Sequence, residues 1–353
     1  MLPSESLGER EENLLKLNIG VVGLGYWGPN IVRSLHRIGR VRLKYACDLD
    51  EDRRAKIAAQ YPETHVTGDF EELLEDGELD AVVIAAPVPV HATLARKALQ
   101  AGKDIFVEKP LALSPEDAED LVKLAAEKDR ILMVGHLLEY HPAVVRLKEI
   151  IDSGELGEVF YVYTHRLNLG VIRHNENALW SLAPHDLAVS MFLLEQEPVV
   201  VQATGHSYLK SGVEDVVFGT LRFGDGKIAQ LHVSWLDPHK ERKITVVGSD
   251  KMVIFDDMAR DEKIRLYDKG VQKPEFESYG EYVGLRFGDI LIPHVPNDEP
   301  LKLECEHFVE CLVERKRPLS DGHDGLRVVR TLDALQRSLE AEGRPISLEP
   351  SRV

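Results

Sequence analysis

Gly23-Leu24-Gly25-Tyr26-Trp27-Gly28 decides the fold. Leu17-Asn18-Ile19-Gly20-Val21-Val22 runs into it as a short apolar strand, and Gly28–Leu35 runs out of it as a helix. A strand–turn–helix context is what gives G-x-G-x-x-G its meaning. Gly23 permits the tight turn, Gly25 lets the backbone approach a pyrophosphate, and Gly28 lets helix and strand pack closely. The helix start then offers free N–H groups and a positive dipole end to phosphates. A glycine-rich turn without a ligand is the bland alternative. Against it stands a second strand, Val41–Cys47, that ends in Asp48, about twenty residues past the last glycine, where an acid meets a ribose diol. A carboxylate there repels a 2′-phosphate, so the expected cofactor is NAD rather than NADP. Arg53 and Arg54, close behind, read as solvated charges on the next helix.

Outward from this stretch the chain alternates strand and helix. Expected are a helix over Glu51–Tyr61, a helical turn at Phe70–Leu74 and a buried parallel strand in Asp80–Pro87, which is continuously apolar rather than alternating. A helix over His91–Ala101 follows, closed by Gly102, then a strand over Lys103–Val107. Next comes a helix capped by Ser114 with Pro115 in its first turn, and a last strand over Ile131–Gly135. Repeated β–α units imply a doubly wound parallel sheet with its ligand at the carboxyl ends of the strands.

After about residue 136 the grammar changes. Pro142–Ser153 reads as a helix, Val159–Thr164 as a strand and Leu182–Glu195 as a second helix. From Val199 to Leu266 come long strands joined by turns such as Gly224-Asp225-Gly226-Lys227, which is an antiparallel meander. Residues 270–300 read as irregular and polar, and Leu303–Arg315 and Gly325–Glu342 as closing amphipathic helices. The expected fold class is thus α/β, an N-terminal doubly wound domain over 16–135 followed by an α+β domain over 136–353 with a large, mostly antiparallel sheet. Residues 1–15 read as a loose polar tail.

Composition narrows the partners. The chain has 353 residues, 44% apolar, with a net charge of −17; that balance argues against nucleic acid or an anionic membrane surface. No apolar run is long enough to cross a bilayer, and residues 1–15 carry no apolar leader segment. Cys47, Cys305 and Cys311 form neither a CxxC pair nor a disulfide framework. A cytoplasmic setting and the absence of a metal site are the expectations.

Three further stretches lie at strand ends or at the domain changeover. Glu108-Lys109-Pro110 follows a sheet strand directly, so Lys109 points toward the crevice where a cofactor lies; a solvated Lys–Glu pair is the ordinary fate of such a dipeptide. Gly135-His136-Leu137-Leu138-Glu139-Tyr140-His141 marks the changeover, a common place for pockets. Arg166-Leu167-Asn168-Leu169-Gly170-Val171-Ile172-Arg173 makes a plausible anion clamp after a strand, with a solvated loop as the alternative. It leads into Leu179-Trp180-Ser181-Leu182-Ala183-Pro184-His185-Asp186. There His185 is expected in the first turn of an apolar helix, and Asp186 as an N-terminal helix acid.

Together these motifs resemble the Gfo/Idh/MocA oxidoreductases, the family of glucose–fructose oxidoreductase and inositol dehydrogenase. The resemblance covers roughly residues 16–345. It rests on the glycine fingerprint, Glu108-Lys109-Pro110 and His185, of which the second in that position is the more specific. It implies a Rossmann domain plus an open-faced sheet domain, a tightly held nicotinamide, and a homodimer or homotetramer packed through the sheets. Cofactor contacts are then expected from Gly23, Gly25, Tyr26, Trp27, Gly28, Asp48, Ala86, Pro87, His91, Glu108, Lys109 and Pro110. Lys109 and His185 are implied at the reacting hydroxyl, where alcohol oxidation needs a base and an ammonium can steady the developing alkoxide. Family members often carry an aspartate four residues before this histidine; here Ser181 stands there, and a hydroxyl cannot act as a carboxylate base.

Within the family, Tyr26-Trp27-Gly28-Pro29-Asn30, Gly135-His136 and the Arg166–Arg173 loop look most like the branch acting on UDP-N-acetylhexosamines or their uronic acids. That branch oxidises the sugar C3 hydroxyl. It would place Arg166, Asn168 and Arg173 on the sugar nucleotide, with His136, Tyr140 and Ser181 beside the sugar. Two alternatives stand: an inositol or free-sugar dehydrogenase of the same family, and a non-catalytic NAD-binding regulator.

Overall fold

The computed structural model describes residues 16–170, 176–272 and 284–349. They divide into two units, one of residues up to Gly135 together with Leu301–Leu326, the other of His136–Pro300 and the chain from Arg327 on.

The first unit strings together β1 (Leu17–Val22), α1 (Gly28–His36), β2 (Val41–Cys47), α2 (Glu51–Gln60), β3 (His65–Thr67), α3 (Phe70–Glu75), β4 (Ala81–Ile84), α4 (His91–Gln100), β5 (Asp104–Glu108), α5 (Pro115–Glu127) and β6 (Leu132–Gly135). The six strands are ordered β3-β2-β1-β4-β5-β6 and every pair is parallel. The order reverses between β1 and β4, which is where an open sheet of this kind opens a crevice. β4 is buried at all four positions, as a strand covered on both faces must be. Local chemistry agrees with the expected caps: the Ser114 side chain accepts from the Asp117 N–H, and Gly102 closes α4 at φ +73°.

The second unit holds α6 (Pro142–Asp152), β7 (Val159–Leu167), α7 (Ala178–Leu194), β8 (Pro198–His206), β9 (Val216–Phe223), β10 (Ile228–Ser234), β11 (Glu241–Gly248), β12 (Met252–Asp256), β13 (Ile264–Gln272) and β14 (Gly284–Leu291). The chain then gives α8 (Pro300–Glu314), whose residues from Leu301 belong to the first unit, α9 (Gly322–Glu340) and β15 (Ile346–Ser347). Nine strands are ordered β14-β13-β12-β11-β7-β10-β9-β8-β15, with β7 and β10 parallel and the other pairs antiparallel. One face is covered: Val144 and Leu147 of α6, Leu187 and Met191 of α7, and Val328 and Leu332 of α9 share a core with Val162, Val217, Leu231, Val246 and Val253 of the strands. The other face leaves Tyr161 and Phe218 exposed. It carries a run of packed rings, Tyr161 on Tyr163 and Phe218 on His232 at 4.2 Å.

The structure corrects three local expectations. α7 begins at Ala178, not Leu182, because Asn177 caps it by accepting from the Trp180 N–H. Pro184 suggests a helix start in the sequence, yet it sits inside the helix, so His185 falls in the third turn. β7 runs on to Leu167, which places Arg166 in the strand, on the buried side with Val162 and Thr164. The stretch read as irregular contains the end of β13 and all of β14, an edge hairpin whose Leu285 and Phe287 are exposed. Such an edge strand has no buried face to write alternation into its sequence.

Candidate active site

The cofactor loop is built from backbone packing that tolerates only glycine at two positions. A Cβ on Gly23 would stand 2.6 Å from the backbone of Ala85 and Ala86, and its φ is +92°. A Cβ on Gly28 would stand 2.0 Å from the Gly23 carbonyl oxygen. At Gly25 the nearest atom to such a Cβ is the far end of Arg53, at 3.7 Å, so that side of the loop is open. α1 starts without a side-chain cap and with no acid in its first turn; its end keeps the N–H groups and positive dipole that suit a phosphate. Tyr26 stands out from the loop, its ring edge-on to that of Trp27. Asp48 ends β2 with one carboxylate oxygen accepting from the Leu24 N–H at 2.6 Å and the other from the Asp50 N–H at 2.9 Å. The acid expected at the ribose thus ties the glycine loop to the end of the second strand.

At the end of β4 the chain turns through Ala86 and Pro87, and at the end of β5 through Glu108, Lys109 and Pro110, with a cis Lys109–Pro110 peptide. His91 joins these two turns. Its ring nitrogens face the Pro110 carbonyl oxygen at 2.9 Å and the Ala86 carbonyl oxygen at 2.7 Å. Burial lowers its proton affinity, against the pull of the two carbonyls. The ring is engaged by protein carbonyls, so His91 braces the two turns against each other. Lys109 is half-buried at the carboxyl edge of the sheet. Glu108 leans back over Gly135, whose Cβ would meet the carboxylate at 3.1 Å, and accepts from the Lys109 backbone N–H at 3.2 Å. Burial pushes the Glu108 carboxyl up to about 7, with the Lys109 charge opposing.

In the second unit, the Arg166 guanidinium is not turned to solvent as an anion clamp. Its Nε donates to Asp186 Oδ2 at 2.7 Å and its Nη2 to Oδ1 at 3.3 Å, with Asp186 1% exposed. Asp186 is therefore a buried partner of β7 rather than a helix-end acid. The pair locks α7 onto β7 one residue from His185, which is half-buried. Ser181 lies one turn earlier, half-buried. The Asn168 N–H donates to the Ser234 carbonyl oxygen at 3.1 Å, and the Asn168 side chain covers Gly170. His136 and Tyr140 are both buried. Arg173 lies outside the described residues.

Two residues stand outside those the sequence points to: the cap residue Asn177, whose amide also donates to Glu214 and Gln336, and Glu304 of α8, buried in the first unit. Asn177 was legible as an Asn just ahead of an apolar run; Glu304 carried no signal.

Two family models match the chain: "Oxidoreductase family, NAD-binding Rossmann fold" over residues 17–136, and "GFO/IDH/MocA C-terminal domain" over 144–254. The chain belongs to the Gfo/Idh/MocA family. Among curated relatives, the scyllo-inositol 2-dehydrogenase (NAD(+)) of Bacillus subtilis is 26% identical over 96% of this chain and 98% of its own length. The UDP-N-acetylglucosamine 3-dehydrogenase of Acidithiobacillus ferrooxidans is 25% identical over 93% of this chain and 99% of its own length. The solved structure of that enzyme, GnnA, superposes with a TM-score of 0.80 at 25% identity, covering 93% of this chain and 98% of its own. GenD2 of gentamicin A biosynthesis, solved with NAD, gives 0.79 at 26% identity and 99% coverage of both chains. This Gfo/Idh/MocA chain is accordingly an oxidoreductase with NAD as its cofactor, and the glycine cradle with Asp48 fits that group. Among the described residues no helix is long and apolar enough to cross a membrane.

Proposed function

We propose that this Gfo/Idh/MocA oxidoreductase oxidises a secondary hydroxyl, at C3, of a nucleotide-linked sugar such as UDP-N-acetylglucosamine or its uronic acid. NAD supplies the hydride acceptor when bound. Lys109 and His185 act on the same hydroxyl, the imidazole taking its proton and the ammonium steadying the oxyanion. The observation that supports the catalytic part of this reading, whichever the sugar, is the buried Arg166–Asp186 pair. It gives the helix that bears His185 one fixed setting, as a general base within hydrogen-bond reach of a substrate requires. Ser181 binds a substrate oxygen in place of the usual aspartate. Asn168 and Arg173 bind the nucleotide, and His136 and Tyr140 line the sugar.

The same pair favours a second reading. With Arg166 taken up by Asp186, the anion clamp is reduced to Arg173 and Asn168, which suits a phosphate-free polyol. The inositol dehydrogenase relative supports it. A substrate panel followed at the reduced-nicotinamide absorbance separates the two. The sugar-nucleotide reading predicts turnover of UDP-N-acetylglucosamine or its uronic acid and a KM that rises in Arg173→Ala. Turnover of inositols alone, with KM indifferent to Arg173, contradicts it.

The chain works as a cytoplasmic homodimer or homotetramer, packed through the open face of its nine-stranded sheet. The exposed Tyr161 and Phe218 and the rings stacked on them support that surface.

A further inference from the structure

Two carboxyl groups, those of Glu108 and Glu304, lie near enough inside the first unit for the charge of one to bear on the other. On β5, Phe106 and Glu108 are two residues apart and so share one face. On α8, Glu304 and Phe308 are four apart and likewise share one face. Phe106 and Phe308 pack edge to face with ring centroids 5.5 Å apart, which sets Glu304 against Glu108. Glu304 is fully buried, and neither of its carboxylate oxygens has a hydrogen-bond partner among the described residues. An ionised carboxylate so placed is prohibitively costly. Glu304 is therefore a neutral acid, pushed well above the carboxylate range by burial and then by the nearby Glu108 charge. Among the described residues, other charged and titratable groups bear on this place. Lys109 opposes Glu108 directly. His91 faces Lys109 with its ring on two carbonyls. His307, on α8, is turned to the Leu319 N–H and Cys311.

We propose that Glu304 is a positioning residue for Lys109 that acts through Glu108: as a neutral acid behind the Glu108 carboxylate, it confines the negative charge of the pair to the side that faces Lys109. The two carboxyls titrate as one coupled system, Glu108 first and Glu304 only at higher pH. Nothing in the glycine fingerprint, Glu108-Lys109-Pro110 or the His185 helix requires a glutamate in α8. This proposal rests on the reading that Lys109 works at the substrate hydroxyl.

The test is a pH titration of the full-length protein by infrared difference spectroscopy, reading the carbonyl band of protonated carboxylic acids in wild type, Glu304→Gln and Glu108→Gln. Wild type minus Glu304→Gln is expected to contain an acid that stays protonated through neutral pH. Glu304→Gln keeps a single step, that of Glu108. In Glu108→Gln the Glu304 step moves to lower pH, because the charge that held its proton is gone. The Glu304→Gln enzyme is further expected to show a displaced pH profile of kcat with its KM for NAD within about twofold of wild type, a fold-change of under 1 kcal/mol. A wild type with no extra protonated acid at pH 7, or a Glu304 step unmoved in Glu108→Gln, overturns the pair whatever the turnover shows. Intact infrared steps with a kcat profile indifferent to Glu304 overturn its action on Lys109. The infrared arm needs no substrate, so it stands or falls separately from the dehydrogenase reading.

Discussion

Arg166 and Asp186 show how one pairing settles the fate of two residues. Each is visible in the sequence as a charge near an apolar helix, yet they lie twenty residues apart on different elements, and no local pattern announces that they meet. Removing one partner leaves the other charge buried and alone. Asp186→Ala is therefore expected to cost about 3–5 kcal/mol in urea unfolding. Replacing both, as Arg166→Met with Asp186→Leu, is expected to recover much of that stability without recovering turnover. A stability loss in Asp186→Ala of under about 1 kcal/mol, the scale of an exposed pair, would contradict the buried geometry. Glu304 is the harder case, a glutamate in an amphipathic helix that reads as surface until the helix is docked. Its folded-state proton affinity is raised, so the unfolded chain binds fewer protons once pH passes the ordinary carboxylate range, and stability falls as pH rises. Glu304→Gln removes this loss, so its advantage over wild type should grow as pH rises above the ordinary carboxylate range, by at most about 1.4 kcal/mol per pH unit for one proton. Parallel pH profiles of unfolding free energy for the two proteins would show Glu304 to be ionised in the fold.

At the scale of elements, the first unit was legible because its signals are local. Glycine at a tight turn, Ser114 ahead of Pro115, Gly102 after α4 and the continuously apolar β4 each state their conformation within a few residues. The glycine loop is the strictest of these. Gly28→Ala would drive a methyl group into the Gly23 carbonyl oxygen, a backbone atom with no side chain to swing aside. The variant is expected to bind NAD at least about tenfold more weakly by calorimetry, a 1.4 kcal/mol loss, while Gly25→Ala meets no protein atom closer than Arg53. Equal affinity of Gly28→Ala and wild type would contradict the loop packing. The second unit was less legible. Pro184 imitates a helix start while the actual cap, Asn177, stands about two turns upstream. β14 is an edge strand most of whose side chains are exposed, so a buried apolar face does not write period-two alternation into its sequence.

The whole molecule carries two sheets of different grammar, one all parallel and one mostly antiparallel. The fold class and the NAD fingerprint follow from runs of a few residues each. The substrate does not, because the Arg166 expected to clamp an anion lies in β7 and is answered by the protein's own Asp186, twenty residues further on. The central claim is that Lys109 and His185 act on one hydroxyl while the glycine loop holds the cofactor. Its most direct measurement is a single-turnover mixing experiment with NAD and the preferred sugar from the panel, read at the reduced-nicotinamide absorbance, on wild type, Lys109→Ala and His185→Ala. Both variants are expected to bind NAD as wild type does and to reduce it about 10²–10⁴-fold more slowly, the range for loss of a positioned proton-transfer group. Wild-type rates of NAD reduction in both would contradict the account.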